Sequence, residues 1–381
     1  MREELLEVRD PDVAFERLED WLTRRGFFAD GGDELVADLY LGYGLSQEIR
    51  RVGTPPPAEP CAQLPLAACR LRAENSLATD CCKGSYVADS SAVEGQETLA
   101  TDCCKGSFAV GEWEESWSAA EYRTAIEDVR QAIARGDVYQ VNLVQHLHAP
   151  FEGHPRGLAA RLARLRPLHP DPFVTRDWAV VSASPELFLA RRADRIWTMP
   201  IKGTRPRGAS AELRRSEKDA AEHVMIVDLE RNDLSRVCKA GTVRWTELMA
   251  TRELAGVEHM VSTVEGRLRE DVGLAEILRA TFPGGSVTGA PKIAAVDLIA
   301  ELEPVGRGAS MGALGRVYGN GDFDLALTIR TFAIADGTIH LWVGGGIVWD
   351  SDPATEVEES WVKARPLLDA IGSRLPEAAV A

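Results

Sequence analysis

Segments with the periodicity of strands and of helices follow one another in irregular order from residue 117 onward. The run 117–137 has a Ser118–Glu121 capping box, apolar residues at helical spacing and a closing Gly136, and these features predict one helix. The run VYQVNLVQHLHA after it alternates apolar and polar residues, as a half-buried strand does. A strict strand–helix–strand rhythm is absent, so we predict an α+β fold and not a Rossmann fold.

Later segments extend this mixed pattern. WAVVSASPELFLARR and RIWTMPIKG are predicted to form two strands, and FDLALTIRTFAIADGTIHLWVGGGIV a hairpin that turns at Asp336–Gly337. One helix is predicted to begin after a cap at Ser216. A last helix is predicted to begin at Asp352–Pro353, and Pro366 is expected to kink or split it.

The cysteines define the least regular part of the chain. The sequence LATDCCKGS occurs at 77–85 and again at 99–107, after a proline-rich stretch. Adjacent cysteines lack the spacing of zinc ligands, and an odd total of seven does not indicate a disulfide framework. We therefore predict a polar, partly disordered insertion there. The predicted organisation is a short N-terminal region (1–112), a catalytic domain (113–375) and a tail (376–381).

The net charge of −16 argues against nucleic acid and anionic membrane surfaces as partners. No apolar run approaches the roughly 18 residues that a membrane helix needs. The N-terminus, MREELLEVRDP, is charged and lacks the apolar core of a signal peptide, so we expect a cytoplasmic protein.

Lys202 stands in the stretch TMPIKGTRPRG, between an apolar run and a loop rich in arginine. Like charges repel, so neighbouring arginines are expected to lower the pKa of this lysine. A lysine that loses its proton easily can act as a nucleophile. The alternative is an ordinary surface lysine on a basic loop.

Two acidic pairs lie at helical spacing. Asp219 and Glu222 occupy one predicted helix, and Glu356 and Glu359 another, with Lys363 four residues after Glu359. These acids are also explained by a favourable position at a helix N-terminus and by an ordinary Glu–Lys pair. Alternatively, the two pairs clasp one Mg²⁺, which typically takes one or two carboxylates beside an anionic substrate.

Glycine-rich segments supply candidate anion sites. PGGSVTGAPK (283–292) leads into a predicted helix, whose free N–H groups favour an anion, and GGG (344–346) ends a predicted strand. Arg330 is expected on an apolar strand, where burial would require a carboxylate partner. Neither loop is a dinucleotide fingerprint or a P-loop. Together with the acidic pairs, these features predict a site for a small polyanion and Mg²⁺.

Seven motifs follow one another in an order that resembles the chorismate-utilising enzymes. They are SPELF, PIKGTRPRG, AEHVMIVDLERNDLSRV, EHMVSTVEGRL, FPGGSVTGAPK, TIRTF and GGGIVWDSDPATEVEESWVKA. The match covers about 117–372, and LYLGYGLSQEIRRV (39–52) resembles the N-terminal part of the family. The resemblance implies a fold like that of anthranilate synthase component I, with β-sheets and helices packed around a central cleft.

The PIKGT motif resembles aminodeoxychorismate synthase component I, whereas anthranilate synthases usually read PIAGT. The resemblance implies that Lys202 attacks C2 of chorismate while Glu186 protonates the departing C4 hydroxyl. Ammonia then adds at C4 and the lysine leaves. The implied product is 4-amino-4-deoxychorismate, a precursor of 4-aminobenzoate and folate.

The resemblance also assigns the remaining site residues. It implies Mg²⁺ ligands at Glu222 and Glu359, with Asp219 and Glu356 in support. The residues implied to bind substrate are Arg330, Gly345, Gly346, His259, Ser286, Thr288, Lys292 and Thr204. A core histidine without a ligand is the alternative for His259.

Two positions distinguish the sister reactions. Gln140 stands where isochorismate and salicylate synthases have a basic lysine, which disfavours addition of water. Arg316 replaces a tyrosine that is usual in the family. No G-x-C-x-G glutaminase turn occurs in the sequence, so the resemblance implies a separate glutaminase subunit or free ammonia.

Other activities remain open from the sequence. The enzymatic alternatives are anthranilate synthase component I and 2-amino-2-deoxyisochorismate synthase. The alternative of another class is a non-catalytic subunit that binds chorismate or a glutaminase.

Overall fold

The computed structural model describes residues 4–29, 34–72, 106–206, 208, 210–254 and 257–376. The helices in these ranges are α1 (Ala14–Thr23), α2 (Ala119–Arg135), α3 (Pro155–Leu162), α4 (Ser210–Arg215), α5 (Glu217–Ser235), α6 (Leu274–Thr281), α7 (Lys292–Leu302) and α8 (Pro353–Ile371). The strands are β1 (Leu5–Val8), β2 (Val36–Leu41), β3 (Ala67–Leu71), β4 (Phe108–Val110), β5 (Glu114–Glu115), β6 (Gln140–Gly153), β7 (Phe173–Val174), β8 (Trp178–Ser182), β9 (Leu187–Arg192), β10 (Arg195–Met199), β11 (Ile201–Pro206), β12 (Arg244–Leu254), β13 (Val257–Arg267), β14 (Gly289–Ala290), β15 (Ala313–Tyr318), β16 (Phe323–Leu327), β17 (Thr331–Ala335) and β18 (Thr338–Ile347).

Within the described ranges, these strands form two antiparallel sheets. The ten-stranded sheet has the order β1-β3-β2-β15-β16-β9-β10-β13-β11, with β12 paired to β13. The eight-stranded sheet has the order β14-β6-β18-β17-β8-β7, with β4 and β5 also paired to β6. The mixture of antiparallel sheets and helices confirms the predicted α+β fold.

Several predicted elements are confirmed. Helix α2 has the Ser118–Glu121 capping box and ends at Gly136 in the left-handed conformation. Helix α5 is capped by Ser216, whose side chain accepts the Asp219 N–H. Strands β17 and β18 pair around the predicted turn.

Other predicted elements differ from the structure. The segment predicted as one strand from Trp178 divides into β8 and β9 around Pro185, and the next divides into β10 and β11 at Pro200, because proline cannot donate to a strand ladder. Strand β6 is buried on both faces over most of its length. Helix α8 runs unbroken through Pro366, because Leu367 and Leu368 are buried and hold that turn in place.

The N-terminal region is hydrogen-bonded to the remainder of the chain. Strand β2 pairs with β15, which places Asp38 opposite Arg316. Strands before and after residue 112 therefore share one sheet. The LATDCCKGS copies lie outside the described residues, except for Gly106 and Ser107, and so does the tail from 377 onward. No helix in the described part of the chain is both long and apolar enough to cross a membrane.

Two short connections, without a helix, pass between the two sheets at adjacent places. Residues 183–186 join β8 to β9, and residues 328–330 join β16 to β17. The two crossings contact each other, since Ala183 N donates to Arg330 O at 2.9 Å and Leu327 N donates to Glu186 O at 3.0 Å. Arg330 has a φ of 51° and is not on a strand, which corrects the prediction from the apolar pattern around it.

Candidate active site

Lys202 on β11 is paired with Glu222. Its Nζ lies 2.8 Å from Glu222 Oε1 and 3.5 Å from the carbonyl oxygen of Ser286. Burial lowers the pKa of Lys202, but Glu222, together with Glu186 and Glu359, raises it above the ordinary value. The expectation of a lowered pKa is therefore wrong for this arrangement, because carboxylates outweigh the effect of burial. The alternative of a surface lysine is also wrong, since its side chain is 12% exposed.

Glu222 on α5 is shared between two donors. Its Oε1 accepts hydrogen bonds from Lys202 Nζ and from Gln140 Nε2, each at 2.8 Å. Burial raises the pKa of Glu222, but Lys202, Lys363 and Gln140 lower it below the ordinary value. This carboxylate is therefore held in its charged form, and it is not the exposed acid of a helix N-terminus.

Glu186 lies in the crossing between β8 and β9 and is buried. Its Oε1 accepts a hydrogen bond from Ser286 Oγ at 2.8 Å and faces the Ile201 N–H at 3.5 Å. Burial raises the pKa of Glu186, while Lys202 and Ser286 oppose this effect without cancelling it. Burial therefore favours the protonated carboxyl, which is the form that a general acid needs.

The glycines of β18 make room for side chains from elsewhere. A Cβ on Gly346 would lie 2.0 Å from Gln140 Nε2 and 2.7 Å from Glu222 Oε1. A Cβ on Gly345 would lie 2.9 Å from Lys363 Nζ. The absence of side chains at these two positions therefore lets α5, α8 and β6 place polar groups over one end of β18.

Helix α8 contributes the second acidic pair. Glu359 forms an ion pair with Lys363 at 2.9 Å, and Lys363 Nζ also donates to Gly344 O at 3.0 Å. Glu356 is buried and accepts a hydrogen bond from Ser351 Oγ at 2.6 Å. The Glu–Lys pair considered from the sequence is confirmed, although its lysine also binds the backbone of β18.

Glu222 and Glu356 both approach the Gly345–Gly346 backbone, and Glu359 is paired with Lys363 one turn further along α8. Among the described residues, no group of three or more histidine, cysteine or acidic side chains forms a metal site. Mg²⁺ does not need such a group, because it is usually bound by one or two carboxylates and completes its shell with water and substrate.

The glycine-rich loop 283–292 is bound by a carboxyl group of the protein itself. The Gly285 N–H donates to Glu230 Oε1 at 3.0 Å, so a carboxylate of the protein already occupies part of the anion site predicted there. Thr288 Oγ1 donates back to Gly284 O at 3.0 Å. Lys292 Nζ binds Asp233 and donates to Thr281 O at 3.0 Å. Thr288 and Lys292 thus shape the loop, and their contact with substrate stays a prediction.

The remaining predicted residues lie nearby. His259 on β13 is buried and its Nδ1 is 3.3 Å from Gly203 O, a distance that assigns the donor to Nδ1. Burial and then Arg330 lower the pKa of His259, so its neutral form is favoured. Thr204 is paired with His259 in the β11–β13 ladder, and its side chain is outside the described part. Asp219 lies against Gly203.

Arg330 is largely buried at the second crossing. Burial lowers the pKa of its guanidinium and Glu186 raises it, with the net effect downward. Among the described residues, its guanidinium has neither a hydrogen bond nor an ion pair, so the carboxylate partner expected for it is not in direct contact.

Arg316 is bound by acidic side chains away from Lys202. Its guanidinium binds Asp171 and lies 3.8 Å from Asp38, and the same Asp38 binds Arg70 and Arg72. This charged cluster joins β15 to β2 and β3. The structure therefore gives Arg316 partners within the protein, outside the group around Lys202.

Three residues of this arrangement were not predicted as site residues. The sequence indicates Gln140 only as a missing base and Lys363 only as a partner of Glu359, and it assigns no role to Glu230. Lys363 and Glu230 both lie inside the motifs, which is an available signal, whereas Gln140 lies outside them. The contact between Glu230 and Gly285 is not visible in the sequence, because the two residues are 55 positions apart.

Comparisons with known proteins show the family to which this chain belongs. The family profile described as chorismate binding enzyme matches residues 15–369. Anthranilate synthase component 1 of Thermus thermophilus is 43% identical over 267 residues, which are 67% of this chain and 57% of that protein. Aminodeoxychorismate synthase component 1 of Klebsiella aerogenes is 41% identical over 270 residues, which are 68% of this chain and 60% of that protein.

A solved structure supports the fold. Anthranilate synthase component I from Streptococcus pneumoniae superimposes with a TM-score of 0.76 at 24% identity, covering 91% of this chain and 84% of that chain. At this identity the likeness concerns the fold alone. The chain spans little more than half the length of the curated relatives it matches.

Proposed function

This chain belongs to the family of chorismate binding enzymes, and on that premise we propose that it aminates chorismate at C4 to give 4-amino-4-deoxychorismate. The observation that carries the proposal is the position of Lys202. Its Nζ contacts Glu222 and the carbonyl oxygen of Ser286, and the hydroxyl of the same Ser286 holds Glu186. A nucleophile and a carboxyl that favours its protonated form thus share one serine.

Lys202 acts as the nucleophile in this proposal. The pair with Glu222 keeps its amine protonated, and burial without that pair lowers its pKa. A ligand that withdraws Glu222 from the lysine therefore makes the amine more reactive. The amine then forms a bond to C2 of chorismate, both conjugated ring double bonds shift by one position, and the C4–O bond breaks.

Glu186 supplies the proton for the departing hydroxyl, which leaves as water. Its carboxyl is buried, which keeps the pKa above that of an ordinary glutamate. Ammonia then attacks C4 and loses one proton, which restores the acid form of Glu186; both double bonds return and the C2–N bond to Lys202 breaks. The net reaction exchanges the C4 hydroxyl of chorismate for an amine with release of water.

We propose Mg²⁺ as the cofactor, bound by Glu222 and Glu359 with Asp219 and Glu356 beside them. When bound there, the ion would supply positive charge for the ring carboxylate of chorismate. Arg330 and the Gly345–Gly346 backbone take the other carboxylate. Gln140 orients Glu222 and has no basic group with which to activate water.

Ammonia comes from a separate glutaminase chain or from solution. The relatives are named component 1, which supports the existence of a partner component. This sequence contains no G-x-C-x-G turn of a glutaminase. The cytoplasmic location expected from the N-terminal charges also stays a prediction.

Product identification tests the proposal. The protein is incubated with chorismate, Mg²⁺ and ammonium, and aminodeoxychorismate lyase is added in a parallel sample. Formation of 4-aminobenzoate only with the lyase supports amination at C4. Direct release of anthranilate and pyruvate would instead establish an anthranilate synthase, the activity named for the Thermus thermophilus relative. No consumption of chorismate by folded protein would favour a non-catalytic binding subunit.

Mass spectrometry tests the covalent step. The protein is incubated with chorismate and Mg²⁺ without ammonia, digested, and searched for an adduct of chorismate less water on the peptide that contains Lys202. The Lys202→Arg variant is the control, because arginine keeps a positive charge beside Glu222 and does not lose its proton. An adduct on another lysine, or one that persists in the variant, would contradict the role of Lys202.

A further inference from the structure

Glu230 is a buried carboxyl that no part of the proposed reaction uses. It lies near the end of α5 with 4% of its surface exposed, and its Oε1 accepts the Gly285 N–H at 3.0 Å. The contact is tight, because a Cβ on Gly285 would lie 2.6 Å from Leu229 Cδ2 and 3.1 Å from Glu230 Oε1. Helix α5 is therefore fitted closely to the glycine-rich loop at this point.

The residue after Gly285 is the one that contacts both reacting groups. Ser286 Oγ donates to Glu186 Oε1 at 2.8 Å, and Ser286 O lies 3.5 Å from Lys202 Nζ. Residues 285–287 form a single helical turn, so a shift of the Gly285 amide moves Ser286 with it. The carboxyl of Glu230 is thus two hydrogen bonds away from that of Glu186.

The far end of the loop is held separately. Lys292 Nζ binds Asp233, one turn after Glu230, and also donates to Thr281 O. Asp233 therefore fixes the place where the loop joins α7. Glu230 is the only side chain among the described residues that accepts a hydrogen bond from the Gly285 amide. The two acids of α5 thus have different tasks, one at the loop end and one beside Ser286.

We propose that Glu230 is a positioning residue for the reaction, which fixes the turn at residues 285–287 and thereby holds the Ser286 hydroxyl against Glu186. This inference rests on the proposed function only in assigning the proton transfer to Glu186. Burial and Asp233 raise the pKa of Glu230 to about 7, against the opposing effects of Lys292 and the Gly285 amide. A glutamine, whose side-chain oxygen accepts a hydrogen bond without carrying a charge, can therefore replace Glu230 at neutral pH.

Two substitutions at Glu230 give opposite expectations. Glu230→Ala leaves the buried Gly285 N–H without its acceptor, and we expect kcat to fall by roughly 10- to 100-fold through misplacement of the acid. The KM for chorismate should change less than kcat, because Arg330 and the Gly345–Gly346 backbone, proposed to hold a carboxylate of chorismate, are not among the hydrogen-bond partners of Glu230. Glu230→Gln keeps an acceptor oxygen of the same reach and should restore kcat to near the wild-type value.

Glu59 provides a matched control. It is a largely buried glutamate that accepts one backbone N–H, from Gly308 at 2.8 Å, and its pKa is also raised to about 7 by burial. Its hydrogen bond to Gly308 does not reach residues 285–287. Glu59→Ala should cost similar stability and leave the kcat of the folded protein unchanged. An equal loss of kcat in both alanine variants would mean that the effect is merely structural.

A double-mutant cycle and hydrogen exchange complete the test. Because Glu230 acts through Ser286, Glu230→Ala should add little to the loss of kcat caused by Ser286→Ala. If the two losses of kcat multiply in the double variant, the residues act independently and the proposal is overturned.

Hydrogen exchange tests the same proposal without kinetics. Backbone amide exchange in the peptide covering 283–291 should accelerate in Glu230→Ala and not in Glu59→Ala. Unchanged exchange would overturn it without reference to activity. Kinetics are followed as consumption of chorismate, so a different product would refute the proposed function and not this one.

Discussion

At the scale of single residues, Lys202 lies between two carboxyls whose pKa values move in opposite directions. Glu222 is kept charged by Lys202, Lys363 and Gln140, although burial opposes this. Glu186 is buried more completely, and its pKa is raised. Opposite shifts in neighbouring acids separate the roles of charge stabiliser and proton donor. The environment of each side chain therefore distinguishes two glutamates that are chemically identical.

Replacing Lys202 should abolish amination. Lys202→Ala removes the nucleophile, and Lys202→Arg keeps the ion pair but supplies no free amine, so each should lower kcat by roughly 10³-fold or more. Product formation is measured with saturating chorismate, Mg²⁺ and ammonium, and folding by circular dichroism. Lys239→Ala, at a half-exposed ion pair with Glu270, is the control and should retain full activity. Normal turnover by Lys202→Arg would refute the nucleophile.

At the scale of elements, β18 shows how three successive glycines serve different purposes. Gly344 allows close pairing with β6, since a Cβ there would lie 2.0 Å from Leu143 O. Gly345 and Gly346 instead face the side chains of Lys363, Gln140 and Glu222. One strand therefore supplies both a ladder contact and the floor of the site.

Alanine substitutions along β18 should separate these purposes. Gly344→Ala collides with backbone and should lower the free energy of unfolding by about 1–3 kcal/mol. Gly346→Ala displaces Gln140 and Glu222 and should lower kcat/KM by roughly 100-fold. Gly345→Ala meets the flexible end of Lys363 at 2.9 Å and Glu356 Oε2 only at an ordinary contact distance of 3.7 Å, so it should have the smallest effect. Chemical denaturation and steady-state kinetics on the three variants check this order, and equal effects at all three would contradict it.

The sequence was informative where local chemistry decides structure. The capping box of α2, the Ser216 cap of α5 and the turn before β18 follow from residues within a few positions of each other. The pKa of Lys202 was predicted with the wrong sign, because Glu222 is brought to it by folding and not by sequence proximity. Arg330 was placed on a strand because an apolar run does not show where a chain leaves one sheet for another.

At the scale of the whole molecule, buried histidines make the free energy of unfolding depend on pH. His146 Nε2 lies 3.1 Å from His340 Nδ1, and Ser116 Oγ lies 2.6 Å from His146 Nδ1. The two histidines are on β6 and β18, the neighbouring strands with the longest pairing in the eight-stranded sheet. Burial lowers the pKa of His340 to about 4 and that of His146 to about 2.

The free energy of unfolding should therefore decrease as pH falls from about 6.5 to about 4. A pKa that is lowered in the folded state means that the unfolded chain binds more protons in this window, so acid favours unfolding. His340→Asn should flatten this dependence by about 1–3 kcal/mol across the window. Denaturant titrations at several pH values provide the measurement. His154→Asn, at an exposed histidine, should keep the wild-type slope, and an unchanged slope in His340→Asn would contradict the assignment.

The two adjacent crossings between the sheets determine how the site can deform. Each is only three or four residues long, and a chain spans at most about 3.6 Å per residue, so the sheets cannot part along this line. Relative movement of the two sheets is therefore most restricted at this line, where Glu186 and Arg330 lie. Lys202 belongs to the ten-stranded sheet, whereas Lys363 lies on α8 and donates to the backbone of β18 in the eight-stranded sheet. The distance between the two lysines would therefore report a movement of one sheet against the other.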